Sequence, residues 1–307
     1  MSLTVVILTM NEARHIARAI QSVQAVAERI VVVDSGSTDD TRAIAAALGA
    51  TVLQNPWINY AAQFNWALDH LPEPADWVLR LDADEIVSPE LQAEIAIRLP
   101  GLPATVVGAH VSRRMTFLRR PIRHGGVFPI RVLRLFRHGQ GRCENRWMDE
   151  HILVSGPTAE FRGEILDDNT NPLGWWTDKH NAYASREVID MLNLEYGFLP
   201  MESVADIRSG QQAGVKRWIK EKVYARMPGG LRAAVYFLYR YVIRLGFLDG
   251  FEGAAFHILQ GFWYRFLVDA KLREVRLCMA QDSIGPAEAI HRVLGIRLPL
   301  PAKGSPA

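Results

Sequence analysis

Short β-branched apolar runs alternate with longer mixed stretches through the first ninety residues. Leu3-Thr4-Val5-Val6-Ile7-Leu8 is apolar on both faces and too short for a helix, which predicts a central strand of a parallel sheet. Arg29 to Val33, Ala50 to Leu53 and Trp77 to Leu81 repeat the pattern. Between these runs the spacing predicts three helices. One runs from a candidate N-cap at Asn11 to about Gln24, and one extends to about Leu48 behind Ser37 and Asp40, a capping box with Asp in place of Glu. The third covers Tyr60 to His70. Alternation of this kind argues for an α/β fold, a mostly parallel sheet with flanking helices on both faces.

Ligands of such sheets gather outside the carboxyl ends of the strands. The loops there hold Thr9, Asn11, Glu12, Asp34, Ser35, Gly36, Ser37, Asp82 and Asp84. Asn11 and Ser37 suit helix caps. Asp34 instead closes a hydrophobic strand ahead of the capping residue, where a carboxylate can accept from a base N–H or ribose hydroxyls. The sharpest feature is Leu81-Asp82-Ala83-Asp84-Glu85, two carboxylates one residue apart at a strand's end. Period-two alternation points both to one side, and like charges that close repel unless a cation sits between them. Hard oxygen ligands suit Mg²⁺ or Mn²⁺, which keep one or two protein carboxylates and take the rest from water and phosphate. The plain alternative is a solvated acidic turn. No Gly-x-Gly-x-x-Gly follows the first strand and no P-loop motif occurs, so those two nucleotide-binding readings lose support.

Composition narrows the class without naming a partner. At 307 residues, 49% hydrophobic and 22% charged, the chain is an ordinary folded protein with room for one large domain and an appendage, or two domains. The net charge of +2 is unevenly spread: Lys216 to Arg276 carries twelve Lys/Arg against five Asp/Glu. Cys143 and Cys278 lie far apart in no metal-ligand spacing, which reads as free thiols in a reducing compartment. A basic region followed by an apolar run is absent from the N-terminus, as is an uncharged run of about 18–20 apolar residues, so neither a secretory signal nor a membrane span is expected.

Three segments together carry a resemblance. Val6-Ile7-Leu8-Thr9-Met10-Asn11-Glu12, Val32-Val33-Asp34-Ser35-Gly36-Ser37-Thr38-Asp39 and Leu81-Asp82-Ala83-Asp84-Glu85 resemble, in order and spacing, the signature segments of family-2 inverting glycosyltransferases. The resemblance implies the GT-A fold and a nucleoside-diphosphate sugar donor, with UDP as the expected nucleotide. By position it implies that Thr9, Glu12 and Asp34 line the nucleoside pocket together with Asn11. It puts Asp82 near the ribose or diphosphate and Asp84, with Asp82, on the metal. Gln63-Phe64-Asn65-Trp66 resembles a family helix that often carries a basic residue facing the phosphates; Phe64 stands in that place here.

Inverting transfer is a single in-line displacement that needs a base for the acceptor hydroxyl. Arg131 to Arg137 is similar to the family's Arg-Leu-Phe-Arg strand, and Asn145 to Ile152 follows it. In the lipopolysaccharide-core-type glucosyltransferase subgroup a His-Glu-His triplet stands here. The resemblance makes Glu150 the base, with Asp149, in the place of the first His, as the alternative. The Arg113-Arg114 and Arg119-Arg120 pairs suit either an anionic acceptor or a solvated hairpin, and Asp167-Asp168-Asn169 reads as a turn. Lys179 to Tyr183 is read as opening a structural helix.

From Trp218 to Phe266 aromatic and basic residues interleave, too interrupted by charge to span a bilayer but suited to a headgroup interface. Leu245 to Gly250 is similar to a segment of the same subgroup, which acts on lipid-linked acceptors. The expected organisation is a GT-A catalytic domain over 1–205 (donor half 1–100, acceptor half 101–205), a helical membrane-facing appendage over 206–297, and a tail over 298–307. A cytoplasmic protein, peripheral on the inner face of the cytoplasmic membrane, follows. The expected partners are a sugar nucleotide, a saccharide or lipid-linked acceptor and an anionic membrane surface, with no nucleic acid. Two rivals stand beside this reading: a sugar-nucleotide nucleotidyltransferase, which would need a Gly-rich basic loop after the first strand, and an inactive membrane scaffold of the same fold.

Overall fold

The computed structural model describes residues 1–73, 75–144, 150–199 and 230–298. The chain divides into two compact units, the first comprising 1–145, 150–171 and 248–253, the second the remainder.

In the first unit the strands are β1 (Leu3–Thr9), β2 (Arg29–Asp34), β3 (Thr51–Gln54), β4 (Trp77–Asp82), β5 (Glu85–Val87), β6 (Gly108–Phe117), β7 (Arg120–Pro121), β8 (Ile130–Arg137), β9 (Gly141–Cys143), β10 (Ile152–Val154) and β11 (Thr158–Asp167). Its helices are α1 (Ile16–Gln21), α2 (Thr41–Ala47), α3 (Tyr60–Asp69) and α4 (Pro89–Arg98). The main sheet runs β3-β2-β1-β4-β8-β6-β11-β5, with β7 beside β6 and a separate β9–β10 ribbon. The pairs β1–β2, β2–β3, β1–β4 and β6–β11 are parallel; β8 enters antiparallel between β4 and β6, and β5 folds back against β11.

Alternation sends successive side chains of the central strands to opposite layers. Leu3, Val5, Ile7, Val32, Leu79 and Leu81 pack with Ile16, Ile20, Ala45, Leu91 and Ile95. Val6, Leu8, Val31, Val33 and Val78 pack on the other face with Ala61, Phe64, Ala67 and Leu68. This doubly covered sheet is what near-continuous apolar strands require. Phe64 is fully buried there.

Two predicted caps are corrected. The α1 helix starts at Ile16, not beside Asn11, because Asn11 takes a left-handed backbone (φ 58°) and its Oδ1 accepts from Thr38 N at 2.8 Å. The Ser37–Asp40 capping box does not form either. Ser37 Oγ is occupied by Asn11 N at 2.8 Å and by Asp34, while Asp39 Oδ1 accepts from Thr41 N at 3.0 Å where α2 begins. The cap of α3, which no sequence expectation named, is Asn59, whose Oδ1 accepts from Ala62 N at 2.8 Å.

The β6–β7 turn is a two-residue hairpin with Leu118 and Arg119 both at positive φ, and Phe117 faces Arg120 across it. Residues 248–253 are held to this unit by Asp249, which accepts from Arg123 N at 3.0 Å, His124 N at 2.8 Å and His124 Nδ1 at 2.7 Å.

The second unit is helical where described. It contains α5 (Leu173–Tyr196) and α6 (Leu231–Leu238), which continues as a π-helical stretch to Ile243. After α7 (Gly250–Phe256), whose first turn belongs to the first unit, a second π-helical stretch, His257–Trp263, leads into α8 (Tyr264–Asp282) and α9 (Pro286–Leu294). Its core joins Val188, Ile189 and Leu192 to Val268, Leu272, Val275 and Ile290. No helix among the described residues is long and apolar enough to cross a membrane.

Candidate active site

Parallel register brings the strand ends level. Thr9 pairs with Asp34 across β1–β2, and Leu8 with Asp82 across β1–β4, so three polar strand ends share one edge of the sheet.

Asp34 is fully buried. Its Oδ1 accepts from Gly36 N at 3.0 Å and Ser37 N at 2.9 Å, and its Oδ2 accepts from Thr9 Oγ1 at 3.3 Å and from Ser37 Oγ. The carboxylate therefore shapes the 35–37 loop and ties it to β1. Gly36, at φ 97°, supplies the left-handed turn this requires. The β1 loop is stitched to its neighbour by Asn11 N on Ser37 Oγ and by Glu12 N on Thr41 Oγ1, each at 2.8 Å. Glu12 Oε2 sits 2.7 Å from Nδ1 of the buried His15.

Asp82 is the centre of a charged network inside the sheet. Tyr60 OH donates to its Oδ1 at 2.5 Å and Arg134 Nη2 to its Oδ2 at 2.9 Å, while Arg80 Nε donates to the Tyr60 oxygen at 2.9 Å. Burial pushes the Asp82 carboxyl up, but Arg134 and Arg80 outweigh it and hold the group well below the usual carboxylate range. Burial raises the Tyr60 hydroxyl well above its ordinary value despite Arg80, so it keeps its proton and donates a hydrogen bond to Asp82. Glu85 is buried behind: its Oε2 accepts from Asp82 N at 3.0 Å and its Oε1 from Arg134 at 2.5 Å, with desolvation raising its pKa. The Arg80 guanidinium lies 4.1 Å from the Tyr60 ring centre, a cation–π contact.

Asp84 does not continue the strand. It occupies the turn between β4 and β5, half-buried, and its Oδ2 accepts from Asn169 Nδ2 at 2.9 Å. Glu150 precedes β10, and its Oε1 is 3.9 Å from Arg80 Nη2, so one arginine contacts both the Asp82 and the Glu150 sides of the site. Asp149 lies outside the described residues.

Among the described residues no group of three or more His, Cys, Asp or Glu forms a ready metal cage. The donor set still fits Mg²⁺ or Mn²⁺ of the kind completed by phosphate oxygens and water. Asp84 fits as the single carboxylate ligand. Asp82 fits only if Tyr60 or Arg134 gives way, because each of its oxygens is already engaged.

Of the arginine pairs, Arg113 and Arg114 are committed to internal acids, Arg113 to Asp167 and Arg114 Nε 3.1 Å from Glu164. Arg119 and Arg120 are exposed, and Arg120 Nη1 lies 3.1 Å from Glu252. Sequence reading missed Tyr60, Arg80, Arg134, His15 and Asn169. For two of these a signal was present: Arg80 and Arg134 are charges within otherwise apolar strands, which demand a buried partner.

Polar groups gathered outside the carboxyl ends of parallel strands mark the place where α/β enzymes bind their ligands, and similarity to known proteins gives the family. The model of glycosyl transferase family 2 matches residues 4–168. The chain belongs to that family and is a sugar-transferring enzyme, and its mostly parallel sheet with flanking helices and a C-terminal helical region agrees with the GT-A architecture. It is 30% identical over 287 residues to an uncharacterised glycosyltransferase of Rickettsia felis, covering 92% of this chain and 93% of that protein. It is 34% identical over 190 residues to the lipopolysaccharide core biosynthesis glycosyltransferase LpsC of Rhizobium meliloti, covering 60% and 69%. Glucosyl-3-phosphoglycerate synthase from Mycobacterium tuberculosis, solved with Mn²⁺, UDP and glucosyl-3-phosphoglycerate, overlaps at 24% identity and a TM-score of 0.32 over 37% of this chain and 44% of that one, too little to bear on ligands.

Proposed function

We propose that the chain is an inverting, metal-dependent hexosyltransferase that moves a sugar from a nucleoside diphosphate, UDP above others, to a membrane-associated glycan or lipid-linked acceptor. The observation that carries this reading is the shared edge of β1, β2 and β4, where Thr9, Asp34 and Asp82 stand level and the Asp84 turn follows. The relation to a lipopolysaccharide core enzyme supports an acceptor in lipopolysaccharide core or another surface polysaccharide.

In this reading Thr9, Asn11, Glu12 and Asp34 form the nucleoside end of the site. Asp34 acts chiefly by holding the 35–37 loop, since a base or ribose could reach it only by displacing Thr9 or Ser37. Asp84 would hold Mg²⁺ or Mn²⁺, and Asp82 orders the end of β4 through Arg134 and Tyr60. The cation would offset the negative charge of the departing diphosphate. Glu150 takes the acceptor hydroxyl proton as that oxygen attacks the anomeric carbon; the bond from that carbon to the diphosphate oxygen breaks, inverting the centre. Asp149 is the alternative base.

The second unit supplies the reason to expect a membrane surface. Leu231, Val235, Leu238 and Val242, each 44–53% exposed, recur at helical spacing along one stretch. No acidic residue occurs from Leu231 to Phe247; of its cations Arg240 is buried and Arg232 is paired with Asp269, which leaves Arg244 exposed beside the apolar groups. Apolar and aromatic side chains beside a cation, with no acids, suit an anionic leaflet. On that basis the protein works peripherally at the inner face of the cytoplasmic membrane.

The chemical test is Glu150→Gln. Transfer from a UDP-hexose should fall about 10²–10⁴-fold with donor affinity unchanged, and the wild-type product should carry the inverted anomeric configuration by NMR. Full activity in the variant, or a retained anomer, contradicts the mechanism.

A further inference from the structure

Asp84 and Glu12 sit on different loops, yet one short segment bonds to the first directly and reaches the second through His15. Residues 168–171 follow β11. Asp168 N donates to the Asp84 carbonyl at 3.0 Å, and Asn169 Nδ2 donates to Asp84 Oδ2 at 2.9 Å. Asn171 N donates to Asn169 Oδ1 at 3.0 Å, which fixes the carboxamide with its NH₂ toward Asp84. One residue on, Thr170 N donates to His15 Nε2 at 3.0 Å. A ring nitrogen that accepts carries no proton, so His15 holds its proton on Nδ1 and donates it to Glu12 Oε2 at 2.7 Å.

The segment is itself anchored on the opposite side. Arg18 donates to Asp168 Oδ2 at 2.7 Å and to its carbonyl at 2.8 Å, Thr116 Oγ1 donates to Asp168 Oδ1 at 2.7 Å, and Arg14 donates to the Thr170 carbonyl at 3.1 Å. A plain surface turn needs none of these bonds.

We propose that residues 168–171 are a positioning clasp for the donor site. Asn169 occupies Oδ2 of Asp84 and so presents Oδ1 to the cation, while Thr170 and His15 tie Glu12 to the same rigid element. The proposal rests on the reading of Asp84 as the metal carboxylate. Residues that orient a ligand in this way set metal affinity without touching the ion.

The test follows UDP binding calorimetrically as Mn²⁺ is raised, in wild type, Asn169→Leu, Arg18→Met and Asp84→Ala. In Asn169→Leu the Mn²⁺ concentration giving half-maximal enhancement should rise about 10–100-fold, with UDP binding in the absence of metal unchanged. Arg18→Met, which loosens the clasp from its half-exposed outer side, should shift it in the same direction by less, and it carries the test if Asn169→Leu fails to fold. An unshifted Mn²⁺ requirement in the folded clasp variants, with loss of enhancement in Asp84→Ala, overturns the clasp alone. Enhancement that survives Asp84→Ala overturns the assignment of Asp84 and the clasp with it.

Discussion

The two units differ in emphasis: the first buries a connected network of charges beneath its sheet edge, and the second exposes a helical run of hydrophobic groups. Around Asp82 the first unit buries Glu85, Arg80 and Arg134, each at most 9% exposed, in one hydrogen-bonded network. Removing ions from water costs several kcal/mol each, and their mutual attraction offsets this only when geometry is good and every partner is present. Such a network fixes the positions of the carboxylates at the sheet edge. The second unit packs an orderly core of α5, α8 and α9, yet Ile243 is 69% exposed and Leu231, Leu238, Val242, Ile258 and Phe266 about half so. Exposed apolar groups in such number make this unit a candidate interaction surface. Buried charge belongs to the first unit and exposed apolar surface to the second.

The largest effect expected is on the buried network. Arg134→Met removes the cation shared by Asp82 and Glu85 and should destabilise the protein by about 3–5 kcal/mol, seen as a lowered midpoint in chemical denaturation. A change below about 1 kcal/mol would mean that the two acids find other partners or take up protons at little cost, and the contrast between the units would weaken.

A smaller effect is expected on the other side of the contrast. Val235→Glu with Leu238→Glu replaces two exposed apolar groups on α6 and should leave the melting temperature nearly unchanged. Sedimentation with vesicles rich in anionic lipid should fall at least tenfold, and binding of the wild type should weaken as salt rises. Wild-type protein that ignores such vesicles, or a variant that binds them equally, would remove the membrane from the account and leave the face for another partner.

What could be read from sequence followed the range of the interactions. The strands β1, β2 and β4 are legible because burial on both faces imposes an unbroken apolar run, and the Asp82–Asp84 pair stands out at the end of one. Asn11 was misjudged as a cap because its side chain bonds to Thr38, a loop neighbour only after β1 and β2 pair. Arg134 reaches Asp82 because β8 inserts antiparallel beside β4, a pairing no local pattern announces. Asn169 and Thr170 look like turn residues until β11, parallel to β6, delivers them to Asp84 and His15. Local periodicity thus revealed the frame and the polar edge; the partners that hold that edge came from distant strands.

The most direct test of the account is a calorimetric titration of UDP and of GDP, with and without Mn²⁺, on wild type and Asp84→Ala. The account predicts that one nucleotide, UDP, binds far more tightly with Mn²⁺ and that the enhancement disappears in Asp84→Ala while the protein stays folded. Failure of both nucleotides to bind folded wild-type protein would contradict the donor site and leave a family-2 fold acting as a scaffold.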